Sequence, residues 1–217
     1  MQATIFKPDA AGKTRLDLAM LSTRYAWAAG HAAGKDVAEV ACGAGAGLGW
    51  IARMARSVEA GDPDDANCYL AQETYAGREK IRIRPMDAFN LPFADASLDL
   101  VVRLHGIDDL RVAQAFLDQS RRVLRRYGAV LMATETRGLT VPEVTGTLAR
   151  AGFHAHLMAG FPRTRGLSGW LPRNRSPGQV PRELEPGRHA TGQLISVAPG
   201  TDLARYRTLY IEGRKTT

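Results

Sequence analysis

A chain of 217 residues with 45% apolar and 24% charged side chains has the size and composition of one globular domain with a substantial core. Two cysteines exclude a disulfide scaffold, no Cys/His cluster has zinc-ligand spacing, and no apolar run reaches membrane-spanning length. A net charge of +7 fits either a solvated arginine-rich surface or an anionic partner such as nucleic acid, and does not choose between them.

Residues 1–12 read as a loose arm without the apolar centre of a signal peptide, so a cytoplasmic chain with reduced thiols is expected. From about residue 13 to residue 30, Leu16, Ala19, Met20, Tyr25 and Trp27 fall at roughly helical spacing. Residues 37–49 then organise the rest: a short apolar strand runs into Gly43, Gly45 and Gly47, and a helix follows over 51–56. Glycines there allow a sharp turn and close approach of a ligand to the backbone, with helix amides aimed at it. The spacing lacks the two-residue gap of the dinucleotide fingerprint. Glu39, inside the strand, is costly to bury without a partner, which favours a nucleoside ligand over an empty turn.

A second strand over 57–62 ends at Asp62, whose carboxylate could accept two ribose hydroxyls; Asp64 is its rival, and Asp64 or Asp65 can also cap the helix predicted over 66–77. A third strand spans 81–86. After it, Asp87 could accept from an adenine amine and the Ala88 N–H could reach a ring nitrogen. Leu91-Pro92-Phe93 forms a stiff turn before Asp99 opens the fourth strand. That strand delivers Arg103-Leu104-His105 to the carboxyl edge of the sheet, where open α/β folds place their chemistry. His105 is the natural general base or orienting group, with Asp108, Asp109 and Tyr25 as further candidates. An amphipathic helix is predicted over 112–126, a fifth strand over 129–134, a helix over 142–152, and strands over 154–158, 193–197 and 208–212. The Pro-, Gly- and Arg-rich segment 163–191 is left to cover a substrate, its Arg163, Arg165, Arg173 and Arg175 suited to an anionic acceptor.

Glu39-Val-Ala41-Cys-Gly43-Ala-Gly45 resembles the first motif of class I S-adenosylmethionine-dependent methyltransferases, with Ala41 where the family has glycine. Asp87-Ala-Phe-Asn-Leu-Pro-Phe-Ala-Asp-Ala-Ser-Leu-Asp99 resembles the corresponding segment of the small-molecule members. Arg122-Val-Leu-Arg-Arg-Tyr-Gly128 is similar to their Arg-Val-Leu-Lys-Pro-Gly-Gly, and together the likeness runs from Arg24 to Thr134. The Asn90-Leu-Pro-Phe93 tetrapeptide precedes the fourth strand, so it is not the signature of nucleic-acid amine methylases, which follows that strand.

The resemblance implies a Rossmann-like α/β fold, a seven-stranded, mostly parallel sheet with helices on both faces. It implies S-adenosylmethionine as cofactor, held by Glu39, Ala41, Gly43, Gly45, Asp62, Asp87, Ala88 and Arg103, with Arg24-Tyr25 over its methionine end. The expected organisation is one domain, with a helix over 13–30, a cofactor core over 37–134 and a substrate-side part over 135–217. The expected reaction is methyl transfer to a small-molecule acceptor, with no metal and no membrane partner. Two other readings stay open: an RNA or protein methyltransferase using the basic surface, and a non-methylating relative. The second is kept open by Ala41 and by Asp108-Asp109, which stand where similar enzymes carry a His-His pair.

Overall fold

Residues 15–105, 110–163 and 192–216 are described by a computed structural model. The alternation of apolar and small residues over Asp36–Val40 makes β1, the central strand. It pairs in parallel with β2 (Ser57–Asp62) on one side and β4 (Leu98–Arg103) on the other. β3 (Ile81–Pro85) extends the sheet beyond β2, and β5 (Leu124–Glu135) extends it beyond β4, both in parallel. β6 (Phe153–Pro162), β7 (Leu194–Ser196) and β8 (Tyr206–Lys215) close it with antiparallel pairings. The order is β3-β2-β1-β4-β5-β8-β6-β7, eight strands where the resemblance implies seven; the three-residue β7, on the β6 edge, lies within the strand predicted over 193–197.

Two apolar layers sandwich this sheet. On one face α1 (Arg15–His31), α2 (Leu48–Met54) and Tyr75, just past α3 (Asp65–Thr74), cover Val37, Val58, Leu100, Val102 and Leu131. On the other, α4 (Leu110–Val123) and α5 (Val141–Arg150) cover Val40, Val101, Val130 and Ile211. The side chains of adjacent strand residues therefore reach opposite layers, which decides below which candidates share a site.

α4 stops three residues before the predicted end. The amides of Ala96 and Ser97, leading into β4, donate to the Arg122 and Val123 carbonyls at 3.0 and 2.8 Å and so satisfy the helix terminus. The following residues form an irregularity in β5: Leu98 pairs with Leu124, then Leu100 with Ala129. Tyr127, at φ +65°, sits in that bulge, where the resembled family carries glycine.

Arg122 shows why the Leu91-Pro92-Phe93 turn holds its shape. Its guanidinium donates to the Leu91 and Phe93 carbonyls and to Asp95 Oδ1, each at 2.8 Å, while Gln119 Oε1 accepts the Leu91 N–H at 3.3 Å. Arg122→Ala removes the side-chain donor from the Phe93 carbonyl and leaves the Leu91 carbonyl with the Phe93 N–H alone, and should lower the urea-derived unfolding free energy by about 2 kcal/mol. Asp95→Ala, which removes only the exposed ion pair, should change it by less than about 0.5 kcal/mol.

Candidate cofactor and active site

The glycine turn after β1 is built on left-handed backbone. Ala41 has φ +59°, Gly43 +56° and Gly45 +78°. An alanine in that region carries a cost of roughly 1–2 kcal/mol that glycine avoids, reduced by glycine's freer unfolded state. Ala41→Gly should therefore raise stability by about 1 kcal/mol, read as a higher Tm, and leave cofactor affinity within about twofold. Downstream, the turn is closed by an approach only glycine permits: a Cβ on Gly47 would stand 2.1 Å from the Tyr25 ring.

Three side chains brace this turn. Asp62, at the end of β2 and 6% exposed, accepts the Gly43 N–H on Oδ2 at 2.9 Å. Its Oδ1 accepts the Asp64 N–H at 3.0 Å and Asn67 Nδ2–H at 3.1 Å. Asp64 caps α3 through the Ala66 N–H, 2.8 Å, so the capping role falls on Asp64 while Asp62 braces the turn. Tyr75 reaches back from beyond α3: its hydroxyl donates to the Gly45 carbonyl at 2.8 Å and accepts the Gly49 N–H at 3.2 Å. Asn67 and Tyr75 carried no motif signal; only their placement on and just past α3, under the turn, reveals them.

Glu39 lies on the α1 side of β1, wholly buried. The Tyr25 hydroxyl donates to its Oε1 at 2.7 Å, and Oε2 has no hydrogen-bond partner. Burial pushes the Glu39 carboxyl up to about 8, with Tyr25 opposing, and pushes the Tyr25 phenol well above its ordinary value. Tyr25 thus departs from its expected catalytic role. Its ring is 1% exposed against Gly47 and its proton is engaged by Glu39, so it anchors α1 rather than facing a substrate.

At the end of β3, Asp87 is exposed and accepts the Phe89 N–H at 2.9 Å, shaping the turn that carries half-buried Ala88. At the end of β4, Arg24 of α1 donates through Nη1 to the Leu104 carbonyl at 3.1 Å and to His105 Nδ1 at 3.0 Å. Arginine has no lone pair to offer, so His105 Nδ1 must be the acceptor and the ring hydrogen sits on Nε2. In this arrangement Nδ1 is engaged and Nε2 carries the hydrogen, so neither ring nitrogen offers a free lone pair. Arg103 points to the other layer, its guanidinium 5.2 Å from the Phe116 ring centroid beneath α4 and its Nε 3.4 Å from the His105 carbonyl. It is therefore a brace for the β4 end, set apart from Glu39 and Tyr25. Asp108 and Asp109 lie outside the described residues, as do Arg165, Arg173 and Arg175. Arg163 is described, and its Nε donates to the Tyr206 carbonyl at 2.9 Å.

Glu39, the turn, Asp62 and Asp87 stand at the carboxyl ends of β1, β2 and β3. This set fits S-adenosylmethionine: a buried acid with an orphan oxygen for an ammonium, a left-handed turn for close backbone approach, and a carboxylate for the ribose. Among the described residues no His, Cys, Asp or Glu group could hold a metal, and no helix is long and apolar enough to cross a membrane.

Residues 38–132 match the family model described as a methyltransferase domain. A Mycolicibacterium smegmatis protein named "probable S-adenosylmethionine-dependent methyltransferase" is 32% identical over 161 residues, 66% of this chain and 62% of its own length. A Mycobacterium ulcerans protein named "probable phthiotriol/phenolphthiotriol dimycocerosates methyltransferase 2" is 29% identical over 174 residues, 77% of this chain and 66% of that one. The chain thus spans less than two thirds of the M. smegmatis relative's length. Among solved structures, a SAM-dependent methyltransferase from Thermotoga maritima shares the fold at a TM-score of 0.62, with 14% identity across 93% of this chain and 94% of that one. Its fold and the matched segment 38–132 thus make the chain similar to S-adenosylmethionine-dependent methyltransferases.

Proposed function

We propose that this chain methylates a small-molecule acceptor at the end of β4. The observation that carries this reading is enclosure. α1 roofs the β4 end through Arg24, and the Gly192 N–H is tied to Thr23 Oγ1 of the same helix at 2.7 Å. Leu104, Tyr210, Met158 and Leu194 join the apolar layer under α1. A helix-covered, largely apolar strand end suits a small lipophilic molecule better than a polymer. The name of the M. ulcerans relative, a methyltransferase of dimycocerosates, lends support from the same direction.

When bound, S-adenosylmethionine supplies an electrophilic methyl group. The chain's own contribution is alignment and exclusion of water. His105, holding its hydrogen on Nε2, would orient an acceptor lone pair. The acceptor would therefore bring an anionic or unprotonated nucleophile rather than rely on His105 to remove a proton. The basic segment 163–191 makes an anionic acceptor the first to try, and the buried free thiols of Cys42 and Cys68 support a cytoplasmic setting.

The test is incubation with methyl-labelled S-adenosylmethionine and three acceptor pools: small carboxylic acids, phenols and quinols, then total RNA, then total protein. Label in the first pool is expected. Label confined to RNA, with binding that weakens steeply in salt, would replace this reading with the nucleic-acid one favoured by the +7 charge. Tight cofactor binding without label in any pool would point to a non-methylating member.

A further inference from the structure

We propose that Tyr25 holds Glu39 as the receptor for the cofactor's ammonium group, so that cofactor binding drives one proton from Glu39 into solvent. The inference rests on the proposed function, with the cofactor that the similar proteins imply, and adds a proton to its binding equilibrium.

The geometry separates the two oxygens of one carboxyl group. Tyr25 donates its only hydroxyl hydrogen to Oε1, 2.7 Å away, and a phenol held there by a fully buried carboxyl has no other partner to prefer. Oε2 is buried and has no hydrogen-bond partner. The titratable groups around the pair are the acids Cys42 from the glycine turn and Tyr75 from beyond α3, and the His105 imidazole from the β4 end, its ring centroid 6.3 Å from that of Tyr25. None of the described cations reaches Glu39, so an ionised carboxylate there has no counter-charge. The proton of the neutral acid therefore resides on Oε2, since Oε1 is accepting from Tyr25. The rise of this carboxyl to about 8 agrees with a proton still in place at neutral pH.

An arriving ammonium changes that balance. Oε2 loses its proton to the buffer and accepts an N–H from the ligand, while Oε1 keeps the Tyr25 bond, now charge-assisted. Charge is conserved: the ligand brings one positive charge, the carboxylate gains one negative charge, and one proton leaves. Tyr25 acts here as a positioning residue. Its ring lies against Gly47, so α1 and the glycine turn move as one packed unit and the carboxyl cannot swing away.

Calorimetric titration with S-adenosylhomocysteine at pH 7, in phosphate and in Tris, counts protons from the difference in buffer ionisation heat. The wild-type chain should release close to one proton per ligand, and its affinity should rise up to about 10-fold per pH unit below pH 8. 5′-Methylthioadenosine, which lacks the amino-acid part, should release none. Glu39→Gln should bind without proton release and without pH dependence. Tyr25→Phe keeps the ring on Gly47 but deletes the donor. It should weaken binding about 10-fold or more and carry the pH-dependent rise to higher pH, because the carboxylate has lost a stabilising bond. A merely structural tyrosine would weaken binding equally at every pH. Tight wild-type binding with no proton exchange, or the same release from Glu39→Gln, overturns the proposal while leaving the cofactor site standing. No binding by the folded wild-type chain overturns both.

Discussion

Asp62→Ala should abolish S-adenosylhomocysteine binding within the reach of calorimetry and lower unfolding free energy by about 3 kcal/mol. The two effects share one cause. Asp62 accepts from the Gly43 N–H, the Asp64 N–H and Asn67 Nδ2, in a position only 6% exposed. Alanine leaves these donors without their acceptor, each at about 1–3 kcal/mol where water cannot replace it. The Asp64 amide, nearest the surface at the start of α3, should recover most through solvent. Losing the Gly43 bond also frees the left-handed turn, so ligand binding would have to order it again, in addition to losing the acceptor for the ribose. Asn67→Ala separates these contributions. It removes one donor, leaves the carboxylate and the Gly43 bond in place, and should weaken binding by about 10-fold with a stability loss near 1 kcal/mol. If Asp62→Ala bound the ligand as tightly as wild type, the β2 carboxylate would have no part in the cofactor site.

What could be read from the sequence was short in range. Glu39 with its glycines, Asp62 at a strand end, and Leu91-Pro92-Phe93 before Asp99 are local patterns whose backbone demands are written in consecutive residues. The strands β1 to β4 followed almost to the residue. What could not be read depends on partners far apart in the chain. Arg24 meets His105, Tyr75 meets Gly45, and Arg122 meets Leu91 only because the sheet order brings them together. That is why His105 read as a candidate base: its near-neutral ionisation is a property of the residue, whereas its tautomer is fixed by an arginine 81 positions away. The end of α4 was misplaced for the same reason. The helical pattern continues through Leu124, Arg125 and Arg126, yet Ala96 and Ser97 take the last carbonyls and the chain turns into β5. β7, by contrast, falls within the strand predicted over 193–197.

The wild-type chain should lose stability between about pH 4.5 and pH 8, and Glu39→Gln should remove most of that loss. The sign follows from which state holds the proton. Burial raises the Glu39 carboxyl from its ordinary 4.5 to about 8 in the folded chain. Below 4.5 both states are protonated and the contribution is fully present. Between 4.5 and 8 the unfolded chain gives up the proton while the folded chain keeps it, so unfolding is progressively favoured. By pH 8 the loss is on the order of 4 kcal/mol, at about 1.4 kcal/mol for each unit of displacement. Glutamine is neutral throughout and keeps an oxygen for the Tyr25 hydroxyl, so its curve should be nearly flat. A smaller slope of opposite sign should remain, because burial lowers the His31 imidazole below its ordinary 6.5 and the folded chain there holds fewer protons. Urea unfolding of both chains at pH 5, 6.5 and 8 measures the difference, and parallel curves would mean that Glu39 is ionised in the folded state. The same proton sets stability and binding against each other: Glu39 contributes most to the ligand-free fold toward pH 4.5, where its neutral carboxyl is least ready to receive an ammonium. Cofactor binding near neutral pH thus draws on the very group that destabilises the empty fold.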